Sequence, residues 1–121
     1  MAIFWGVIVL LIVGGLGWNM YAKTLPGKYD DLARCLGEKG AVFYGAFWCP
    51  HCQEQKKAFG NSAELLPYVE CSTPDGKAQT QVCIDKEIKS YPTWEFADGS
   101  ILNGEQTPAV LAEKAECALP E

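Results

Sequence analysis

The sequence predicts an α/β domain, a mixed sheet flanked by helices, behind one N-terminal transmembrane helix. Three observations predict it: a long uncharged apolar run at the start, short apolar runs alternating with helix-spaced segments after it, and an Asp98-Gly99 turn between two strand-like runs. The chain has 121 residues, so the domain behind the apolar run is a single small one of roughly 95 residues.

From Ala2 to Ala22 no side chain is charged. At about 1.5 Å per residue this run extends roughly 30 Å as a helix, enough for a bilayer core. Trp5, Trp18 and Tyr21 stand near its ends, where amphipathic rings favour headgroups. A cleaved signal peptide fits less well, because no Lys or Arg precedes the run and Met20-Tyr21-Ala22 is a poor cleavage site. Residues 1–22 are therefore read as an anchor, 23–28 as a linker containing Pro26-Gly27, and 29–121 as the domain. Lys23 and Lys28 would hold the domain in the cytoplasm by the positive-inside bias. Four cysteines beyond one CxxC favour an oxidising compartment, and the expectation is the extracytoplasmic side.

Within the domain, Tyr29, Leu32, Ala33 and Leu36 mark one face of a helix with Asp30 and Asp31 in its first turn. Ala41 to Phe47 is short, apolar and aromatic, a buried strand. Pro50 opens a helix that runs through Gln53–Phe59 to a stop at Gly60-Asn61. Leu65 to Cys71 is a second strand, Ser72 to Lys77 a turn-rich loop, and Gln79 to Lys86 a short helix. Thr93–Phe96 and Ser100–Leu102 form the hairpin, and Pro108–Ala118 the last helix.

A net charge of −5 with both signs interspersed leaves no basic face for a phosphate backbone, so nucleic acid is not an expected partner. No Gly-rich phosphate loop occurs, the only histidine is His51, and neither cofactor nor metal is expected. A zinc site would need Cys71 and Cys83 beside the CxxC, but they are separated by eleven residues rather than two to four.

The chemistry concentrates in Phe47-Trp48-Cys49-Pro50-His51-Cys52, on the first turn of a helix that leaves a buried strand. Disulfide exchange needs one thiolate that attacks and a second thiol close enough to resolve the mixed disulfide, and this spacing supplies both. Cys49, at the helix N-terminus, has free N–H groups and the positive end of the dipole to stabilise its anion, with His51 adding charge when protonated. Cys49 is thus the expected nucleophile, Cys52 the resolving thiol, and a disulfide donor is favoured over a strong reductant. Gln53, Glu54, Lys56 and Lys57 read as a solvated helix face. Cys35, Cys71, Cys83 and Cys117 allow three pairings, among which sequence does not choose; Cys71 with Cys83 is favoured because it closes one turn-rich loop, leaving Cys35 with Cys117. These are expected to be structural staples.

The run Val42–Cys52, together with Ser90-Tyr91-Pro92-Thr93-Trp94 some forty residues on, resembles the active-site segment and proline loop of the thioredoxin superfamily. The resemblance implies a cis Pro92 facing the CxxC, with Trp48, Tyr91, Pro92 and Thr93 meeting the substrate. Trp48 and Trp94 suit either core or rim, since aromatic rings dominate both, and are expected to flank the site. More closely, the CPHC motif, Cys71, Cys83 and the Tyr-Pro-Thr-Trp loop resemble the thioredoxin-like domain fused to bacterial vitamin K epoxide reductase homologues. That implies cysteine-containing exported proteins as substrates and a separate membrane quinone reductase, of that type or the Dsb type, as partner. It also sits less comfortably with a Cys35–Cys117 bond, since terminal helices often occupy opposite faces of such a sheet. Phe43 departs from the superfamily pattern, which usually has a buried acid six residues before the first cysteine.

Overall fold

The computed structural model describes residues 2–120, without the side chains of residues 19–24. Helix α1 spans Ala2–Thr24, α2 Asp30–Glu38 and α3 Pro50–Phe59; a 3-10 segment follows at Gly60–Leu65, α4 spans Gln81–Asp85 and α5 Pro108–Ala115. Strands β1 Val42–Gly45, β2 Tyr68–Glu70, β3 Thr93–Glu95 and β4 Ile101–Asn103 form one sheet in the order β2-β1-β3-β4. β1 runs parallel to β2 and antiparallel to β3, and β3–β4 is the expected hairpin, so the sheet is mixed.

Each face of β1 carries its own cluster. Phe43 stacks on Trp94 with ring centroids 4.8 Å apart, and that face is covered by Leu32 and Leu36 of α2, Phe59 of α3 and Leu111 of α5. On the other face Tyr44 packs with Cys71, Cys83 and Ile88. Helices α2 and α5 therefore share one face of the sheet, contrary to the expectation that the terminal helices would be separated by it.

Several element ends differ from the sequence reading, each for a local reason. β1 stops at Gly45 rather than Phe47 because the chain turns, Cys49 N–H bonding the Ala46 carbonyl at 3.0 Å. β2 begins at Tyr68 rather than Leu65 because Leu65 still belongs to the 3-10 segment and Pro67 lacks an N–H for the ladder. α4 starts at Gln81, since Gln79 pairs with Ser72 in an isolated bridge. α5 ends at Ala115 because Glu116 takes a left-handed conformation, φ 57°. Pro50 and Pro108 occupy the opening turns of α3 and α5, and Thr107 caps α5 by accepting from Val110 N–H at 3.2 Å.

Lys23 and Thr24, assigned to the linker, continue the backbone of α1. Side chains of α1 such as Ile3, Phe4, Leu10 and Leu11 are exposed. Among the described residues no helix is long and apolar enough to cross a membrane. The span expected over 1–22 lies partly outside them, since the side chains described on this helix end at Trp18.

Candidate functional site

The site is built where β1 hands over to α3. Cys49 is the N-cap residue of α3, with extended φ/ψ, and Cys52 follows one turn later. Both thiols are free; Cys49 is 7% exposed and Cys52 only 1%, so one stands at the mouth and the other behind it. Burial pushes the Cys52 thiol up to about 12; a backbone hydrogen bond from Ala46 opposes this, the neighbouring Cys49 adds to it, and the charge of Lys56 opposes it. Cys52 therefore stays protonated at neutral pH. Iodoacetamide applied to the reduced pair should modify Cys49 and leave Cys52 unlabelled, as read by peptide mass mapping; equal labelling would refute the assignment of burial.

Opposite the pair lies the loop entering β3, in which the Tyr91-Pro92 bond is cis. Cys49 Sγ lies 3.8 Å from the Tyr91 carbonyl, to which the thiol donates. The Trp48 ring, half exposed, meets Tyr91 edge-on with centroids 6.1 Å apart and donates from Nε1 to Ser72 Oγ at 2.9 Å. Tyr91 is held in turn by Gln79, whose Nε2 donates to the Tyr91 hydroxyl and to the Ile88 carbonyl, both at 2.9 Å. The wall next to Cys49 is thus made by Trp48, Tyr91 and the loop after β2.

Thr93 and Pro92, expected to meet substrate, are buried. The Thr93 hydroxyl donates to the Ser90 carbonyl at 2.7 Å and lies 3.2 Å from Asn103 Oδ1, which shapes the loop from behind. Trp94, expected beside the site, is fully buried in the core, its Nε1 donating to Gln55 Oε1 at 3.1 Å. His51 points outward, its Nδ1 2.8 Å from Glu105 Oε1. Cys71 is bonded to Cys83 across the loop after β2, and Cys35 of α2 to Cys117 just after α5.

Sequence reasoning missed several supporting residues. Gln55 is 1% exposed and holds the loop before α5, accepting from Gln106 N–H at 2.7 Å and donating to the Gln106 carbonyl at 2.8 Å. Its spacing to Cys52 and Phe59, the other buried positions of α3, was the available signal. Glu70 Oε2 accepts from Phe47 N–H and Ser72 N–H, both at 3.2 Å, tying β2 to the turn before Cys49. Lys56 is not part of a free solvated face: its ammonium lies 3.9 Å from the centroid of the Tyr68 ring. Glu54 and Lys57 do pair on the exposed side, at 3.1 Å.

A mixed sheet of this order, with CxxC opening a helix and a Tyr-Pro loop across from it, is a thioredoxin-like fold carrying a site of the thiol–disulfide oxidoreductase kind. Similarity to known proteins agrees with that class. The chain is 46% identical over 95 residues to the thiol-disulfide oxidoreductase LTO1 of Arabidopsis thaliana, covering 74% of this chain and 25% of the relative. It is 26% identical over 98 residues to the protein disulfide-isomerase erp38 of Neurospora crassa, covering 74% of this chain and 27% of that protein. Over 82 residues it is 30% identical to a thioredoxin domain-containing protein 5 homolog of Drosophila melanogaster, covering 59% of this chain and 18% of the relative. The chain spans about a quarter or less of the length of these curated relatives. No family model matches the chain.

Proposed function

We propose that this chain is a membrane-anchored thiol–disulfide oxidoreductase that exchanges disulfides with cysteine-containing exported proteins through Cys49 and Cys52. The observation that carries the reading is the pair of free thiols at the start of α3, one at the mouth and one behind it. A substrate thiolate attacks Cys49 of the oxidised pair, Cys52 leaves as thiolate, and a second substrate thiol resolves the mixed disulfide. Two electrons then rest on the Cys49/Cys52 dithiol and must be passed on.

The rest of the proposal concerns place and partner. The uncharged run from Ala2 to Ala22 and the exposed apolar side chains between Ile3 and Trp18 support an anchor, with the domain on the extracytoplasmic side, where two further disulfides would persist. An anchored pair could reach a membrane quinone reductase of the vitamin K epoxide reductase or Dsb type, and that class of partner would reoxidise it. Trp48 and Tyr91 then provide the apolar contact beside the exchanging sulfur.

A second reading, a reductase or isomerase, is favoured by the isomerase name of the Neurospora relative. Equilibrating the full chain with glutathione buffers separates the two. An oxidant should show a Cys49/Cys52 potential nearer about −120 mV, whereas a value near about −270 mV would replace it with the reductase reading.

A further inference from the structure

Whichever way electrons flow, Cys52 must pass through a thiolate, and it does so buried. The strand beneath offers no acid to take part: Phe43 lies there, with its ring 4.9 Å from that of Tyr68, its register neighbour across β1 and β2. Tyr68 carries the one buried side-chain polar atom among the described residues that has no hydrogen-bond partner, its hydroxyl. Buried polar groups in native structures are nearly always satisfied, so such an exception calls for a reason.

Gly45 shows what Tyr68 faces. A Cβ at that position would lie 2.8 Å from Tyr68 Cε2 and 3.0 Å from Cys52 Sγ, so the ring edge and the sulfur converge on the bare side of one glycine. The ring also carries the Lys56 ammonium, 3.9 Å from its centroid, one turn along the helix that bears Cys52. The edge of the phenol ring therefore lies beside the buried sulfur, and the ammonium sits on that same ring.

We propose that the Tyr68 hydroxyl, with Lys56 held on its ring, is the polar support on which the Cys52 sulfur becomes an anion, a hydrogen-bond donor kept in reserve for the thiolate. While Cys52 is a neutral thiol the hydroxyl makes no hydrogen bond within bonding distance, and the nearby Glu70 carboxylate is the acceptor with which the thiolate competes. When the Cys52 S–H proton leaves to solvent, the thiolate accepts the phenol hydrogen bond and attacks Cys49 Sγ of a mixed disulfide. The Cys49–Cys52 bond forms, and the substrate sulfur departs as a thiolate that takes a proton from solvent. In the opposite direction a substrate thiolate attacks Cys49 Sγ of the oxidised pair, and Cys52 is the leaving thiolate that the same donor receives. The phenol stays neutral throughout: burial pushes its pKa up, and Glu70, Cys52 and Cys49 push the same way. The groups facing Cys52 are thus Cys49 and Lys56 from its own helix and Tyr68 from β2, with Glu70 beyond the phenol.

The inference rests on the oxidoreductase reading, and Tyr68→Phe in the full chain tests it because only the hydroxyl is lost. Cys49 is loaded with a thionitrobenzoate mixed disulfide, and release by Cys52 is followed optically across pH. Resolution should be about tenfold slower in Tyr68→Phe at neutral pH, with its pH profile moved upward, because a hydrogen bond to a charged sulfur is gone. The rate at which reduced Cys49 is alkylated should not change. Lys56→Met should move the same profile upward, and Lys56→Arg should restore it. Resolution by Tyr68→Phe at the wild-type rate with an unmoved profile overturns the role of the hydroxyl and leaves the exchange reading intact. Failure of the wild-type chain to resolve the adduct at all overturns both.

Discussion

Cys52→Ala should turn a fleeting intermediate into a stable one: Cys49 accumulates mixed disulfides with cysteine-containing exported proteins, visible as adducts that collapse on reduction. The structure makes this the expected result because Cys52 is the one free thiol behind Cys49; the other four cysteines are bonded in pairs. With Cys52 gone, no internal sulfur can displace the substrate, and the adduct persists until an external thiol arrives. Cys49→Ala should behave differently, forming no adduct and losing turnover by roughly a thousandfold or more, the scale of removing a nucleophile. The contrast separates attack from resolution. Absence of adducts in Cys52→Ala under oxidising conditions, with Cys49 still alkylatable, would end the proposal that exported thiols are the substrate.

What the sequence disclosed about this site follows from how local its signals are. Cys49 and Cys52 share one turn, Pro50 has a fixed place in that turn, and the Asp98-Gly99 hairpin is closed by its own residues: Gly99 has φ 84° and Asp98 accepts from Ser100 N–H at 2.9 Å. Element type and order were legible for the same reason, since each depends on the period of a few neighbours. The supporting residues were not legible because their meaning lies across the fold. Lys56 reads as a surface lysine until β2 brings Tyr68 beneath it, and Gln55 has no distinguishing role until Trp94 arrives with an indole N–H. Trp94 reads equally as core or rim, since aromatic rings fill both cores and binding grooves, and the structure buries its side chain in the core. The pairing of Cys35 with Cys117 depended on which face α5 takes, a property of the whole sheet.

That pairing leads to the largest expected change in stability. Cys35→Ala with Cys117→Ala should destabilise the domain by about 4 kcal/mol in the chain-entropy model, because the bond closes a separation of 82 residues. Removing Cys71–Cys83, with a separation of 12, should cost about 3 kcal/mol by the same reasoning. The long closure acts on the unfolded chain, but its native partners are also well placed. Leu32, Ala33 and Leu36 of α2 and Leu111 and Ala112 of α5 lie in one buried cluster, and Cys117 packs against it with its N–H on the Ala112 carbonyl at 2.8 Å. Stability of small domains totals only about 5–15 kcal/mol, so the loss is a large share, equivalent to a melting shift of roughly 15–30 °C. Thermal and urea unfolding of the double variant measure it, and an unchanged midpoint would show that the bond adds nothing beyond the packing of α2 on α5. The two disulfides should also differ in what they do to the site. The Cys71–Cys83 loop carries Ser72, the acceptor for Trp48 Nε1, and Gln79, the donor to Tyr91, so opening it should alter exchange rates while the chain is still folded. The Cys35–Cys117 bond has no such link to Trp48 or Tyr91, and its loss should lower the unfolding midpoint while leaving Cys49 alkylation at the native rate.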